Sequence, residues 1–269
     1  MLLDRMERAR PAQAQAGHVL VVVAHPDDET IGCGGALQSL PQATIAHVTD
    51  GAALPMAQRE PGGAATRKAY AGRRRAELVD AMSRIGLSAR SLLALDVPDL
   101  EVHRCLPAVI EELAGIITDG EFGFVVTHAF EGGHPDHDAV AFAVSAAVTV
   151  VKRTVTVFEM PFYSLAGPGC RIQRFAPAGR GSQEWNITLS PEESRRKQDM
   201  FAAFITQQHV LPLFSCVSER FRAAPSYDFR KPPNEGLVLY DRLHLDVTWA
   251  DVHHSIAAAL SSTLAIQTV

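Results

Sequence analysis

The feature that most constrains this chain is an apolar run, His18 to Ala24, which breaks abruptly into the polar residues 25–29 (HPDDE). The run shows no alternation of polar and apolar residues, which is typical of a strand buried on both faces, as in a parallel sheet. One imidazole and three carboxylates therefore follow a buried strand. Open α/β sheets bind their ligands at that end of the strands. The stretch predicts both a parallel sheet and a functional site at its edge.

Strands and helices alternate along the chain up to about residue 160. Apolar runs predict strands, and apolar residues at helical spacing predict helices between them. The strands are predicted at 43–49, 91–95, 122–128 and 154–160, and the helices at 31–40, 67–86, 103–118 and 137–148. Residues 1–17 are expected to form a short helix or loose arm, and residues 51–66 a loop. This alternation predicts an α/β fold with a mostly parallel sheet and helices on both faces.

The pattern becomes irregular after Pro161. The C-terminal third is predicted to contain a loop at 164–185, a helix from Ser190 to about Ile205 with a capping box, an irregular stretch at 209–235, one more strand within 236–247 and a final helix at 250–264. No second core and no linker is recognisable. We therefore expect one domain over residues 1–269, with a core at about 18–160 and substrate-shaping elements at about 161–269.

Composition excludes several classes of protein. A net charge of −5 argues against a nucleic-acid binder, which usually has a basic balance. No stretch approaches about 18 uncharged apolar residues, so we expect no membrane-spanning helix. The N-terminus lacks the apolar core of a signal peptide, and the four cysteines are widely separated, which fits a reducing compartment. We expect a cytoplasmic protein without nucleic-acid or membrane partners, and its composition leaves open a homo-oligomer.

A second polar cluster, residues 131–137 (EGGHPDH), follows the fourth predicted strand. His134 and His137 are three residues apart, so one helical turn places them on a shared face. His25 and Asp28 have the same spacing across the first strand-to-helix turn. Zinc accepts imidazole nitrogen and carboxylate oxygen, and catalytic zinc sites commonly use three protein ligands. His25, Asp28 and one of the two later histidines would supply such a set.

The remaining polar groups suit a hydrolytic reaction. A metal lowers the pKa of coordinated water to about 7, and Asp27 or Glu29 could take its proton. A spare histidine could donate a hydrogen bond to a developing oxyanion or protonate a leaving amine. Read separately, the acidic triplet could be simple helix N-terminal charge and the histidine pair incidental. Their shared place after predicted parallel strands favours a site for metal-assisted hydrolysis of an amide or ester.

A dinucleotide site is disfavoured at the glycines that follow the first cluster. Gly32, Gly34 and Gly35 do not match G-x-G-x-x-G, and the preceding carboxylates would repel a pyrophosphate.

Residues 24–29 (AHPDDE) and 134–137 (HPDH) resemble the two motifs of the PIG-L/LmbE-like family of zinc-dependent N-deacetylases. Both motifs are complete and in the family's order, and the resemblance runs over about residues 18–150. It implies a Rossmann-like sheet. By position it implies His25, Asp28 and His137 as zinc ligands, Asp27 as the general base, and His134 as the group that stabilises the oxyanion or protonates the departing amine.

The resemblance extends to weaker positions. Arg74 resembles a family arginine that contacts substrate, and Asp99 resembles a family carboxylate that binds a sugar hydroxyl. Some members carry a tyrosine two residues before the first histidine of HPDH, where this chain has Gly132. His128 and Glu131 are nearby polar residues that could orient the ligands.

The expected function is that of a zinc-dependent N-deacetylase, a hydrolase that removes an N-acyl group, above all acetyl, from a small-molecule amino sugar or its conjugate. One Zn²⁺ per chain is expected, and Fe²⁺ is compatible with the same ligand types. Two alternatives stand beside this expectation. One is a metal-dependent hydrolase of another amide, ester or lactam. The other is a non-catalytic, metal-dependent sugar-binding module, which the pairing of Asp27 with His134 disfavours because a pure binder needs neither base nor acid.

Overall fold

The computed structural model describes residues 18–53, 66–176, 183–243 and 245–266. The predicted N-terminal arm at 1–17 and most of the predicted loop at 51–66 lie outside the described residues.

The strands follow the order expected from the alternating pattern and then continue beyond it. Those in the described residues are β1 (Val19–Val23), β2 (Thr44–Thr49), β3 (Leu92–Val97), β4 (Phe124–His128), β5 (Thr156–Met160), β6 (Tyr163–Ala166), β7 (Gly169–Ile172), β8 (Glu184–Thr188) and β9 (Ser218–Ala223). Seven of them form one sheet in the order β3-β2-β1-β4-β5-β9-β8, and β6 and β7 form a separate hairpin. The first five strands pair in parallel. The last two join antiparallel.

Helices cover both faces of this sheet. They are α1 (Asp28–Leu37), α2 (Arg67–Ser83), α3 (Leu106–Asp119), α4 (Pro135–Val150), α5 (Pro191–Ala203) and α6 (Trp249–Ile266). Successive side chains of a strand point to opposite faces, and β1 shows the result: Val19, Val21 and Val23 pack with α1, α2 and α5. The residues between them, Leu20 and Val22, pack with α3, α4 and α6. Burial on both faces explains why β1 is apolar throughout, and the predicted Rossmann-like, mostly parallel α/β fold is confirmed.

The C-terminal third is more regular than predicted. The stretch 209–235 contains β9, and the predicted loop at 164–185 contains the β6–β7 hairpin and the start of β8. The sequence of β9, SERFRA, looks polar because it carries Glu219 and Arg222, yet both side chains are 2% exposed. Each is paired with an oppositely charged buried residue. Because its charged residues form buried ion pairs, β9 is buried although its sequence is not hydrophobic.

The strand predicted within 236–247 is wrong. No strand is assigned to the residues described there. Val238 and Tyr240 are buried among the helices on one face of the sheet, and the backbone N–H of Leu239 donates to the Gly132 carbonyl at 2.7 Å. The apolar residues of this segment therefore pack as a loop over the loop that precedes α4.

Helix α1 bends at Cys33, whose φ and ψ are −142° and 19°. The bend is stabilised by the buried pair of Lys197 and Glu219. The Glu219 carboxylate accepts hydrogen bonds from the N–H groups of Gly35, at 2.6 Å, and Ala36, at 2.9 Å. Lys197 Nζ donates to the Ile31 carbonyl at 2.9 Å and to Glu219 at 2.6 Å. Side chains of α5 and β9 therefore satisfy the backbone groups that the bend exposes.

The strand order places a topological switch point between β1 and β4. From β1 the chain continues to β2 and β3 on one side, and from β4 it continues to β5 on the other. The residues that follow these two neighbouring strands are the two polar clusters. Ligands bind at such a crevice in open α/β sheets, so the topology brings both clusters to one place.

Candidate functional site

The turn between β1 and α1 is held in a strained conformation. Asp27 has φ 132°, a region that non-glycine residues rarely adopt. Its N–H donates to Glu29 Oε2 at 3.0 Å, and the same oxygen lies 2.9 Å from His47 Nε2. Thr30 Oγ1 donates to the other Glu29 oxygen at 2.5 Å. The fully buried Glu29 is thus an internal brace of the turn, which makes Asp27 the better candidate for a base.

The second cluster is built into the first turn of α4. His134 is the N-cap residue, and its Nδ1 accepts the N–H of Asp136 at 3.2 Å. Pro135 takes the first helical position, which a residue without an N–H suits. Asp138 accepts the N–H groups of Glu131 and Gly132, both at 3.1 Å. The helix start and the preceding loop therefore hold each other in place.

Three side chains bring their donor atoms together at the switch point. His25 Nδ1 lies 3.1 Å from Asp28 Oδ2 and 3.3 Å from His137 Nε2, and the third side of the triangle, His137 Nε2 to Asp28 Oδ2, is 3.4 Å. Ligands at about 2.0–2.1 Å from a tetrahedral zinc lie about 3.3–3.4 Å apart. The donor triangle, as we call these three atoms, thus has the spacing and the N, N, O chemistry that a zinc ion requires.

His128 also lies beside this triangle but is engaged elsewhere. Its ring stacks on that of His137, with centroids 3.9 Å apart. Its Nε2 is 3.5 Å from Asp28 Oδ2 but accepts the backbone N–H of Ala24 at 2.8 Å. A nitrogen that accepts this hydrogen bond cannot also bind a metal or donate to Asp28. Burial lowers the pKa of His128 well below its usual range, and we assign it to supporting His137.

Two carboxylates face the opposite side of the His25 ring. His25 Nε2 lies 3.2 Å from Asp99 Oδ1 and 3.4 Å from Asp136 Oδ2. Asp136 also accepts the N–H groups of Leu100, at 2.6 Å, and Val102, at 3.2 Å, so it fixes the loop that carries Asp99. A carboxylate behind a histidine fixes which ring nitrogen is free to bind metal. Here that nitrogen is Nδ1.

Arg74 lies beside Asp27, although it was expected to contact substrate. Only 4% of the residue is exposed. Its guanidinium donates to the carbonyls of Gly51, at 2.9 Å, and Pro26, at 2.5 Å, and one nitrogen lies 3.3 Å from Asp27 Oδ2. Arg74 therefore clamps the turn around Asp27, and contacts of Arg74 and Asp99 with a sugar stay predictions.

The ionisable groups of the site have displaced pKa values with distinct causes. Burial raises the pKa of Asp27 to about 8, against the opposing charge of Arg74. Burial would also raise the pKa of Asp28, but the neighbouring imidazoles hold it well below its usual range. Burial and the positive charge of His25 lower the pKa of His134. A neutral His134 whose Nδ1 accepts a hydrogen bond carries its proton on Nε2.

Glycine at position 132 has a structural cause. Gly132 has φ 73°, and a Cβ there would meet the Leu237 carbonyl oxygen at 3.3 Å. The next residue, Gly133, is pressed against Tyr163, whose carbonyl oxygen would lie 2.0 Å from an added Cβ. A tyrosine at position 132 would therefore have a strained backbone and a tight contact with the Leu237 carbonyl. Instead the β6 strand brings Tyr163 to the site, with its ring centroid 5.8 Å from that of His137.

Several functional candidates were not singled out from the sequence. Asp136 lies inside the HPDH motif, and this position could have marked it as a functional residue. Its role depends on contact with His25, which is 111 positions away in the sequence. Tyr163 carries no sequence signal, because it follows an ordinary apolar strand. Burial raises the pKa of the Tyr163 hydroxyl above its ordinary range, and the charges that act on it are those of His25, Asp28, Asp27 and Asp99.

The fold and the site define an α/β protein of Rossmann-like topology with a cluster of His and Asp side chains able to hold a metal ion. The sequence profile of the PIG-L family, described as GlcNAc-PI de-N-acetylase, matches residues 20–148. This stretch runs from β1 into α4 and contains both polar clusters. Over this stretch the chain matches the PIG-L family, which agrees with the resemblance seen in the two motifs.

Curated relatives align with about half to three fifths of the chain. A probable N-acetyl-alpha-D-glucosaminyl L-malate deacetylase 2 of Bacillus cereus is 31% identical over 135 residues, which cover 49% of this chain and 61% of the relative. A 1D-myo-inositol 2-acetamido-2-deoxy-alpha-D-glucopyranoside deacetylase of Mycobacterium sp. (strain KMS) is 32% identical over 197 residues, or 62% of this chain and 60% of the relative. The chain thus spans about three fifths of the length of these relatives.

Solved structures share the fold at lower identity. The zinc-inhibited form of teicoplanin deacetylase Orf2 superposes with a TM-score of 0.59 at 17% identity, covering 78% of this chain and 99% of that one. GalB, a 4-carboxy-2-hydroxymuconate hydratase from Pseudomonas putida KT2440, gives 0.60 at 14% identity, with 78% and 97% covered. The fold alone is therefore compatible with more than one reaction.

None of the helices in the described part of the chain is long and apolar enough to cross a lipid bilayer. All four cysteines are described, and each is free.

Proposed function

We propose that this protein is a zinc-dependent N-deacetylase that hydrolyses the acetamide, or another N-acyl group, of an amino sugar or its conjugate. The single observation that carries the proposal is the donor triangle of His25, Asp28 and His137, whose sides of 3.1, 3.3 and 3.4 Å suit tetrahedral zinc. Both curated relatives described above are named as deacetylases of N-acetylated glucosamine derivatives. Fe²⁺ is compatible with the same ligands.

The three side chains of the donor triangle would hold the metal, which when bound supplies Lewis acidity to water and to the substrate carbonyl. Asp27 accepts the proton of the attacking water and later passes it to the departing amine. Its strained backbone and the Arg74 clamp keep the carboxylate in one position. The neutral His134 donates from Nε2 to the carbonyl oxygen as negative charge develops there.

The residues behind the ligands have positioning roles in this proposal. Asp99 and Asp136 hold the His25 ring so that Nδ1 faces the metal, and His128 supports His137 by stacking. Arg74 and Asp99 keep their proposed second role, contact with the sugar of the substrate. We also propose that the protein is cytoplasmic, that it consists of one domain and that its substrates are small molecules. Its active form would be a monomer or a homo-oligomer.

The experiment that tests the proposal is acetate release from a panel of N-acetylglucosamine conjugates. The panel should include malate and inositol glycosides, and chelator-treated enzyme should be compared with zinc-restored enzyme. Release that disappears on chelation and returns with zinc is the expected result. If the zinc-loaded protein releases no acetate from any conjugate but hydrolyses an ester or a lactam, the assigned function changes from N-deacetylase to another metal-dependent hydrolase. A protein that binds the conjugates without turnover would indicate a sugar-binding module.

A further inference from the structure

Tyr163 is a residue beside the donor triangle that the roles proposed above leave unused. It opens β6, and its ring lies 5.8 Å from that of His137 and 6.3 Å from that of Phe214, between centroids. The other three tyrosine hydroxyls each have a side-chain hydrogen-bond partner: that of Tyr70 accepts from Gln207 Nε2, and those of Tyr227 and Tyr240 donate to Glu159 and Asp138. The Tyr163 hydroxyl has no hydrogen-bond partner among the described residues. Within that part of the chain, the phenol without a partner is therefore the one next to the site.

The backbone at Tyr163 is fixed in place from two sides. The N–H of the preceding residue, Phe162, donates to Glu131 Oε1 at 2.6 Å. The Tyr163 carbonyl lies so close to Gly133 that no side chain fits between them. The Phe162 ring also contacts the rings of His128 and His137, at 4.6 and 4.9 Å between centroids. The start of β6 is thus docked onto the residues that carry the second polar cluster.

The Tyr163 ring lies beside the ring of His137, one of the proposed zinc ligands. Besides burial, the charges that act on the Tyr163 hydroxyl are those of His25, Asp28, Asp27 and Asp99. A neutral phenol in such a place has one proton to donate, and none of the described residues accepts it. A donor that is already positioned in a buried site stabilises negative charge without reorganising during the reaction.

We propose that Tyr163 is a further catalytic residue, whose hydroxyl donates a hydrogen bond to the acyl oxygen as that oxygen gains negative charge. The proposal rests on the proposed function. It makes the oxyanion site two-sided, with His134 donating from the start of α4 and Tyr163 from the hairpin. Tyr163 lies outside residues 20–148, which match the family profile, so half of this oxyanion site would come from the less typical part of the chain.

The variant that tests the proposal is Tyr163→Phe, which removes the hydroxyl and keeps the ring packing. We expect kcat for acetate release to fall about 100-fold, with little change in KM, zinc content or melting temperature. Tyr227→Phe is the matched control, because its hydroxyl binds Glu159 and not the site, and it should keep the wild-type kcat. A Tyr163→Phe enzyme with wild-type kcat would overturn the proposal. Loss of zinc would also overturn it, because Tyr163 would then act on the metal.

A binding measurement separates this inference from the proposed function. Acetate presents a charged oxygen like that of the reacting acyl group, so it can be titrated calorimetrically into zinc-loaded protein at a temperature where every variant is folded. Tyr163→Phe should weaken acetate binding about 10-fold, the loss of one hydrogen bond to a charged group, whereas Tyr227→Phe should not. Equal acetate affinities would overturn the role of Tyr163. Failure of wild-type protein to deacetylate any conjugate would overturn the proposed function, whatever the titration shows.

Discussion

The two halves of the sheet handle buried charge in opposite ways. In the parallel half, β3-β2-β1-β4-β5, charged side chains gather at the strand ends, and four carboxylates, those of Asp27, Asp28, Asp99 and Asp136, surround His25 and its neighbours. In the antiparallel half, the two buried charges of β9 each have one close opposite partner: Glu219 has Lys197 of α5, and Arg222 has Glu159 of the adjoining strand β5. Several carboxylates close together can bind a cation and transfer protons. An isolated ion pair between opposite charges instead stabilises the fold.

This comparison predicts that mutations in the two halves separate chemistry from stability. Substitutions at the strand ends should change rates and metal binding more than the free energy of unfolding. Substitutions in the antiparallel half should do the reverse.

The largest effect is expected at Asp27. Asp27→Asn removes the base and should lower kcat by about 100- to 10,000-fold, the usual contribution of general base catalysis, while zinc remains bound. His137→Ala is the contrasting variant and should lose zinc as well as activity. Acetate release and zinc content measured on the same samples separate the two variants. Full activity of Asp27→Asn would show that another group takes the proton.

The next effect is expected in the antiparallel half. Lys197→Met leaves the Glu219 carboxylate buried without its cation and should cost about 3–5 kcal/mol of the free energy of unfolding. The double variant Lys197→Met/Glu219→Gln should recover part of that loss, because it removes the unpaired charge. Urea unfolding measures both values. If the folded fraction of Lys197→Met lost its zinc, the separation of the two halves would be wrong.

A smaller effect is expected at Asp99, behind the proposed metal ligand His25. Asp99→Asn weakens the hold on His25 Nε2 and should lower zinc affinity about 10-fold, with little change in the free energy of unfolding. Asp96→Asn, at an exposed position of β3 three residues before Asp99, is the matched control. Competition with a chromogenic chelator gives both affinities. Equal affinities for the two variants would limit Asp99 to the substrate role.

A further effect concerns the pH dependence of stability. Burial raises the pKa of Glu131 from its ordinary 4.5 to about 8, so between these values the folded state holds a proton that the unfolded state has released. The stability contributed by Glu131 is therefore complete below pH 4.5 and is lost as pH rises toward 8, at about 1.4 kcal/mol per pH unit. Unfolding of wild type and Glu131→Gln at pH 5, 6, 7 and 8 gives the difference in slope. Parallel curves would mean that Glu131 is ionised in the fold.

The parallel half could be predicted from the sequence because its strands and polar clusters are recognisable from short continuous segments. A strand buried on both faces is apolar throughout, as in β1, and the polar residues that follow β1 and β4 stand out against it. The parallel strand ends then bring His25, Asp28 and His137 to one edge without further information. The zinc, base and acid roles assigned to these clusters are still predictions that the experiments above test.

The antiparallel half could not be predicted in the same way because its signals depend on pairing. Glu219 and Arg222 disguise β9 as a polar segment, and the sequence does not show that each meets a partner. Likewise, Tyr163 follows an apolar strand with no motif, and it reaches His137 only through the contact of β6 with Gly133. The inward orientation of Arg74 depends on the carbonyls of Pro26 and Gly51, which no spacing rule predicts.

The bend of α1 has a consequence for how the chain is synthesised. The carboxylate that binds the Gly35 N–H belongs to a residue 184 positions later in the chain, so it leaves the ribosome long after Gly35 does. Contacts of such long sequence separation form late and slow the folding of a domain. Helix α1 therefore reaches its final shape only after β9 has been translated. Until β9 has been synthesised, the nascent chain would expose its apolar strands. We therefore expect the yield of folded protein to depend on chaperones more than the size of the protein suggests.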